Sequence, residues 1–314
     1  MNKEEFFQNK KVILLLALIS CILWGSAYPA IKIGYEVFHI AENNISSKII
    51  FAGYRFLLAG LIVLILAILK KIFRLNKKQI VSLIFLGIVQ TTLQYTFFYI
   101  GLSHTTGVRG AILNGTGTFF SIIIAHFLYK NDKVTINKTI GCIIGFTGVI
   151  LVNLTGNFFE LDFNFNGDGF IILSTFISSA AAIYGKTLSQ KQDTFIITGY
   201  QLFIGGIVLT LLGFTLGGNL NEFNLVSISL LVYMALLSAV AYLLWTLLLK
   251  YNKVGKIAVF NFLIPIFGSI LSAVFLGESV FSMKTFIALI LVCIGILLAS
   301  KEVALVSNNK KVET

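Results

Sequence analysis

The chain has 314 residues, 57% of them hydrophobic and 12% charged, with a formal net charge of +11. A soluble core of this size could not absorb so much apolar surface, so the composition is that of a membrane protein. The basic balance does not point to nucleic acid, because the lysines cluster in short connections between apolar runs, where they report topology.

Ten apolar segments follow one another, at roughly 12–33, 48–69, 79–102, 107–129, 139–154, 169–188, 194–216, 225–249, 254–276 and 283–300. Most approach the ~20 residues that a spanning helix needs. A membrane β-barrel would show alternating segments of ~10 residues instead. Lys10 and Lys11, followed by an apolar stretch up to Cys21, look like a lipoprotein signal. The run continues through Ile22, Leu23 and Trp24 without a polar break, so the segment is read as a retained helix.

With the N-terminus inside, the inner connections hold Lys10 and Lys11, Lys70 to Lys78, Lys130 to Lys138, Lys186 and Lys191, Lys250 to Lys256, and Lys301 onward. Lys32, Lys48, Arg55, Arg109 and Lys284 remain for the outer half, with Glu36, Glu42, Glu160, Asp162, Asp168 and Glu222 outside. This asymmetry predicts a multi-pass protein of the cell membrane with both termini cytoplasmic. No Asp or Glu falls inside any of the ten segments, which predicts weak or no proton coupling.

The block from Val108 to Val134 lines up with the block from Val254 to Val280: a small-residue helix, a turn with one acid, and another apolar helix. Two halves, 1–155 and 156–314, then carry five helices each. An odd number per half requires that the halves be inverted. Such repeats place a substrate site at their interface near mid-membrane.

The motifs of the chain carry a resemblance. They are Trp24-Gly25-Ser26 with Pro29 and Lys32, Arg55-Phe56-Leu57-Leu58-Ala59, Pro265, Leu276-Gly277-Glu278, and Gly295 in the tenth segment. In this order the chain resembles the ten-helix EamA-domain members of the drug/metabolite transporter superfamily, over nearly its whole length and in two tandem copies. The resemblance implies an all-α membrane protein of ten transmembrane helices, in two inverted five-helix repeats around a central cavity. It also implies the movement of small metabolites, often outward. Two positions depart from the pattern: Phe119 stands where the first half would match Pro265, and Ser279 stands where an arginine often follows Gly-Glu.

Nine residues are candidates for the cavity wall. Trp24 and Tyr28 share one face of the first segment. Arg55 lies about 10 Å below the outer end of the second. Gln90, Gln94 and Tyr95 sit at the centre of the third, Asn114 in the fourth and Tyr242 in the eighth. Asn261 completes the set, because Pro265 frees its carbonyl as Pro29 frees that of Gly25. Packing readings stand beside these. Trp24 could pack between helices, Arg55 could bind helix-end carbonyls or a substrate carboxylate, and the glutamines could cross-link helices. Lys32 could snorkel to the surface, Trp245 could belong to the inner aromatic belt, and Gly110, Gly117, Ser121, Ser178, Ser179 and Ala182 read as close helix packing. Cys21, Cys142 and Cys293 read as buried thiols, and His126 as an interfacial histidine. No nucleophile–base pair, metal cluster or nucleotide loop appears, so no catalytic residue, cofactor or metal is expected.

The reading is a transporter, working outward by alternating access, of small organic metabolites such as amino acids. Its partners are that substrate and the lipid bilayer, with no nucleic acid. Alternatives are a transporter of lipid-linked or drug-like compounds and, in another class, an intramembrane enzyme or a non-transporting receptor.

Overall fold

The computed structural model describes residues 2–72, 75–130, 132–153, 163–277 and 283–308, and every regular element among them is a helix. A short helix, α1 (Lys3–Gln8), precedes α2 (Lys10–Val37), α3 (Ile45–Leu69), α4 (Lys77–Ser103), α5 (Gly107–Asn114) and α6 (Gly117–Leu128). Then come α7 (Ile136–Asn153), α8 (Phe165–Ser189), α9 (Thr194–Thr215), α10 (Leu225–Tyr251), α11 (Val254–Leu276) and α12 (Met283–Asn308). Seven of them, α2, α3, α4, α8, α9, α10 and α11, are long and apolar enough to cross a membrane. Glu160, Asp162, Glu278 and Ser279, all used in the sequence reading, lie outside the described residues.

The helix starts are written locally. Asn9, Asn44, Asn76, Asp193 and Asn224 each precede a helix and accept a hydrogen bond from a backbone N–H of its first turn. A short side-chain oxygen there satisfies a donor that has no intrahelical partner. At the other end of α11, Gly277 takes the left-handed conformation (φ 65°) that closes many helices.

Three helices depart from the expected regularity. The fourth apolar segment, read as one helix, is two: α5 ends at Asn114, and a turn at Gly115 and Thr116 precedes α6. Both the amide and the hydroxyl of Thr116 donate to the Leu113 carbonyl, and the hydroxyl also meets Thr175 at 3.0 Å. A hydroxyl competing for a backbone acceptor breaks the ladder. In α11 the turn Val259–Phe262 tightens to 3-10 geometry just ahead of Pro265, whose missing N–H and bulky ring disrupt the preceding turn. In α4 the turn Gly87–Leu93 widens to a π-helix. Finally, α8 begins before Gly169. Asp168, expected in a loop, is therefore in the first turn of a helix and fully buried.

Helix contacts cross between the two halves of the chain. They include α3 with α9, α7 with α12, α2 with α10 and α11, and α8 with α4 and α6. Small residues permit them. A Cβ at Gly25 of α2 would stand 2.7 Å from the Cβ of Phe267, and one at Gly206 of α9 would stand 2.3 Å from the Leu57 nitrogen. The bundle's outer faces carry exposed apolar side chains such as Leu15, Ile65, Val81, Phe85, Leu211 and Leu236, as lipid contact requires. One end of the bundle is basic. There Phe7 stacks on Tyr251, and Gln190 donates to the Lys250 carbonyl. At the opposite end Ser46 donates to Leu216, and Arg109 pairs with Asp168.

Candidate functional site

The helices enclose a central cavity of about 110 Å³, and all nine residues singled out in the sequence line it. Trp24 and Tyr28 come from α2, Arg55 from α3, Gln90, Gln94 and Tyr95 from α4, Asn114 from the end of α5, Tyr242 from α10 and Asn261 from α11. The breaks after Asn114 and around Asn261 both face this space. An adjoining void of about 10 Å³, beside Gln90, Gln201 and Tyr242, has the size of a single water and is too small for a solute.

Arg55 is the one charged residue of the wall, and it is 1% exposed. Its Nε donates to the Ser238 hydroxyl at 2.8 Å and its Nη1 to the Tyr99 hydroxyl at 3.1 Å. The guanidinium carbon stands 4.8 Å from the Phe56 ring centroid and 5.9 Å from that of Tyr95. The partners are thus neutral hydroxyls from α4 and α10, not the helix-end carbonyls that the sequence allowed. No carboxylate among the described residues pairs with it. A charge so placed keeps much of its field, because it is compensated only by dipoles in surroundings of low dielectric.

Aromatic rings make up the rest of the wall. Trp24 meets Tyr242 and Trp245 edge to face, with centroids at 5.4 and 5.2 Å. The Tyr95 and Tyr242 hydroxyls bond at 2.9 Å, and Tyr28 lies against Phe98. Trp245 is buried and lines the cavity, so it is no member of an interfacial belt. Two buried polar atoms of wall residues, Trp24 Nε1 and Gln94 Oε1, have no partner among the described residues. Buried polar groups are normally paired, so such atoms mark where a ligand's polar groups gain.

Sequence reasoning assigned Ser121, Ser178, Ser179 and Ala182 to packing, yet all four reach the cavity. It did not single out Thr175 or Tyr99. Tyr99 lies one turn beyond Tyr95 on α4, and that spacing was the available signal. Lys32 is off the cavity wall and donates to the Thr105 carbonyl at 2.8 Å, in the connection that follows α4. His126 sits in the last helical turn of α6, and its Nδ1 accepts from the Val134 amide. The buried acids serve the ends of the bundle. Asp168 binds Arg109 at 2.6 Å, and Asp132 binds Lys138 at 3.0 Å and the first-turn amide of Gly255 in α11.

The cavity is placed asymmetrically. On one side its wall reaches Leu249 and Val254, at the basic end. Toward the opposite end, Phe51, Tyr35 and Tyr99 pack edge to face beyond Arg55.

Comparison with known proteins bears on this architecture. The chain matches the EamA-like transporter family over residues 11–154 and again over 165–301. It belongs to that family. A protein of Archaeoglobus fulgidus named an uncharacterized transporter is 28% identical over 275 residues, covering 86% of this chain and 91% of its own. The uncharacterized transporter YvbV of Bacillus subtilis is 28% identical over 281 residues, 84% of each chain. A WAT1-related chloroplastic protein of Arabidopsis thaliana is 23% identical, covering 83% of this chain and 63% of its own. A solved crystal structure at 13% identity superposes with a TM-score of 0.72 over 98% of this chain and 100% of its own, and so shares the fold. This EamA-like protein is a multi-pass membrane transporter and not an enzyme.

Proposed function

We propose that this EamA-like transporter moves small carboxylate-bearing metabolites, amino acids among them, outward across the cell membrane by alternating access. The observation that carries the substrate class is Arg55, a buried guanidinium on the cavity wall held by two neutral hydroxyls and no acid. Arginine pairs a carboxylate through two parallel charge-assisted bonds. A permanent cation would meet repulsion, and ring faces such as those of Trp24 and Tyr242 give only about 0.5–2 kcal/mol each in return. The outward direction rests on the family resemblance.

The architecture that goes with this reading is ten transmembrane helices in two inverted halves, 1–155 and 156–314, with both termini cytoplasmic. The contact pattern supports it. Exchanging the halves maps α3–α9 and α7–α12 onto themselves, and maps the contacts of α2 with α10 and α11 onto those of α8 with α4 and α6. The paired family matches and the lysines gathered at one end agree with it.

Flux in proteoliposomes tests the proposal. Carboxylate metabolites should be carried, and should stabilise the protein against heat, more than quaternary ammonium compounds do. In Arg55→Gln that preference should fall about 10–100-fold, as expected for bonds to a charged group worth about 1.5–3 kcal/mol. Best binding of quaternary ammonium ligands, unaffected by Arg55→Gln, would overturn the reading.

A further inference from the structure

A second buried cation stands beyond the cavity. Lys48 is 1% exposed and lies on the same face of α3 as Arg55, two turns and about 10 Å nearer the opposite end. Its ammonium donates to the backbone carbonyl of Glu42 and sits 4.9 Å from the centroid of the Tyr35 ring. No carboxylate among the described residues pairs with it.

The space between the two cations is filled but not uniformly apolar. The Tyr99 hydroxyl, which accepts from Arg55, belongs to a ring 6.4 Å from that of Tyr35. Phe51 completes the group at 6.2 Å from Tyr35 and 6.4 Å from Tyr99. The Phe51 ring presses on α2 where a Cβ on Gly34 would come within 2.3 Å of it. The Tyr35 hydroxyl is buried and has no partner among the described residues. A seal alone would need only apolar side chains. The Glu42 carboxylate acts on Lys48 but forms no ion pair with it; burying a lysine this way, beside a hydroxyl with no partner among the described residues, is costly, and ionisable groups inside a membrane bundle characteristically mark the path of a substrate or ion.

We propose that Lys48 and Tyr35 form a second anion station, on a route between the cavity and the opposite end that is closed here by the Phe51 ring. A carboxylate leaving Arg55 is passed to the Lys48 ammonium and the Tyr35 hydroxyl when Phe51 moves off Gly34. This inference rests on the anionic substrate class proposed above and extends it from binding to release.

The test needs no substrate. Cys21, Cys142 and Cys293 are replaced by alanine, and a single thiol is introduced by Phe51→Cys or, separately, by Tyr35→Cys. Each variant, reconstituted in proteoliposomes, is reacted from either side with two membrane-impermeant methanethiosulfonates, the anionic sulfonatoethyl and the cationic trimethylammonioethyl reagents. The anionic reagent should react faster from the side of the opposite end. Lys48→Gln should lower the anion-to-cation rate ratio on the order of tenfold, the effect of one unit charge about 5 Å away in a largely aqueous path. Lys48→Arg should preserve the ratio. A ratio that Lys48→Gln leaves unchanged would overturn the proposal, as would a failure of both thiols to react from that side. Because the reagents report the path alone, this result stands or falls apart from the carboxylate preference measured in Arg55→Gln.

Discussion

A guanidinium carries five N–H donors in a rigid fork, and Arg55 directs two of its nitrogens at hydroxyls on two other helices, Ser238 of α10 and Tyr99 of α4. This fixes the group's orientation without neutralising it. Removing either hydroxyl leaves a charged donor unpaired in a buried place. Ser238→Ala and Tyr99→Phe should therefore each lower stability by about 0.5–2 kcal/mol. Ser229→Ala, which removes an exposed hydroxyl bonded only within its own helix, should stay within about 0.5 kcal/mol. Thermal unfolding in detergent measures the difference, and equal melting of all three would show that the fork is not held by these partners. Residue type and depth were enough to bring out Arg55, Gln90 and Tyr242 from the sequence. Tyr99 was within reach through its one-turn spacing from Tyr95, whereas Thr175 stayed hidden because its role depends on which helix lies opposite, and that is decided by tertiary packing.

At the scale of elements, the cavity is built where helices are irregular. The turn after Asn114 separates α5 from α6, and the 3-10 turn Val259–Phe262 carries Asn261. Discontinuous helices expose backbone groups, which a membrane bundle tolerates where they line a cavity. The second break was legible, because Pro265 announces it. The first was not, because Phe119 stands at the matching place and the break comes from a threonine hydroxyl turning back on Leu113. The two prolines also differ in effect: α2 passes through Pro29 as an uninterrupted helix, while α11 changes its winding just before Pro265. Alanine at either position restores an N–H and stiffens the segment. Both variants should insert normally and turn over more slowly, with Pro265→Ala several-fold slower than Pro29→Ala. Transport rates at matched expression test this, and unchanged rates in both would reduce the kinks to a purely structural feature.

For the whole molecule, apolar length and lysine placement made the helical membrane architecture readable, because both follow from transfer of side chains into lipid. The positions of the buried acids were harder to read, since a one-turn shift of a helix start moves a residue from loop to interior. Asp168 made that shift, and its consequence for energy coupling can be worked out from its surroundings. It is fully buried but faces Arg109 at 2.6 Å, at the end of the bundle and off the cavity wall. Asp132 is likewise engaged with Lys138 and the Gly255 amide at the basic end. His126, in the last turn of α6, accepts from the Val134 amide. Among the described residues the cavity wall carries no carboxylate. Transport should accordingly follow the substrate gradient, or exchange, and ignore an imposed pH difference. The measurement is substrate accumulation in proteoliposomes with and without a pH step, repeated after a protonophore collapses it. Accumulation that tracks the pH step would defeat this expectation. Its loss in Asp168→Asn but not in His126→Gln would then assign the proton to the Arg109–Asp168 pair.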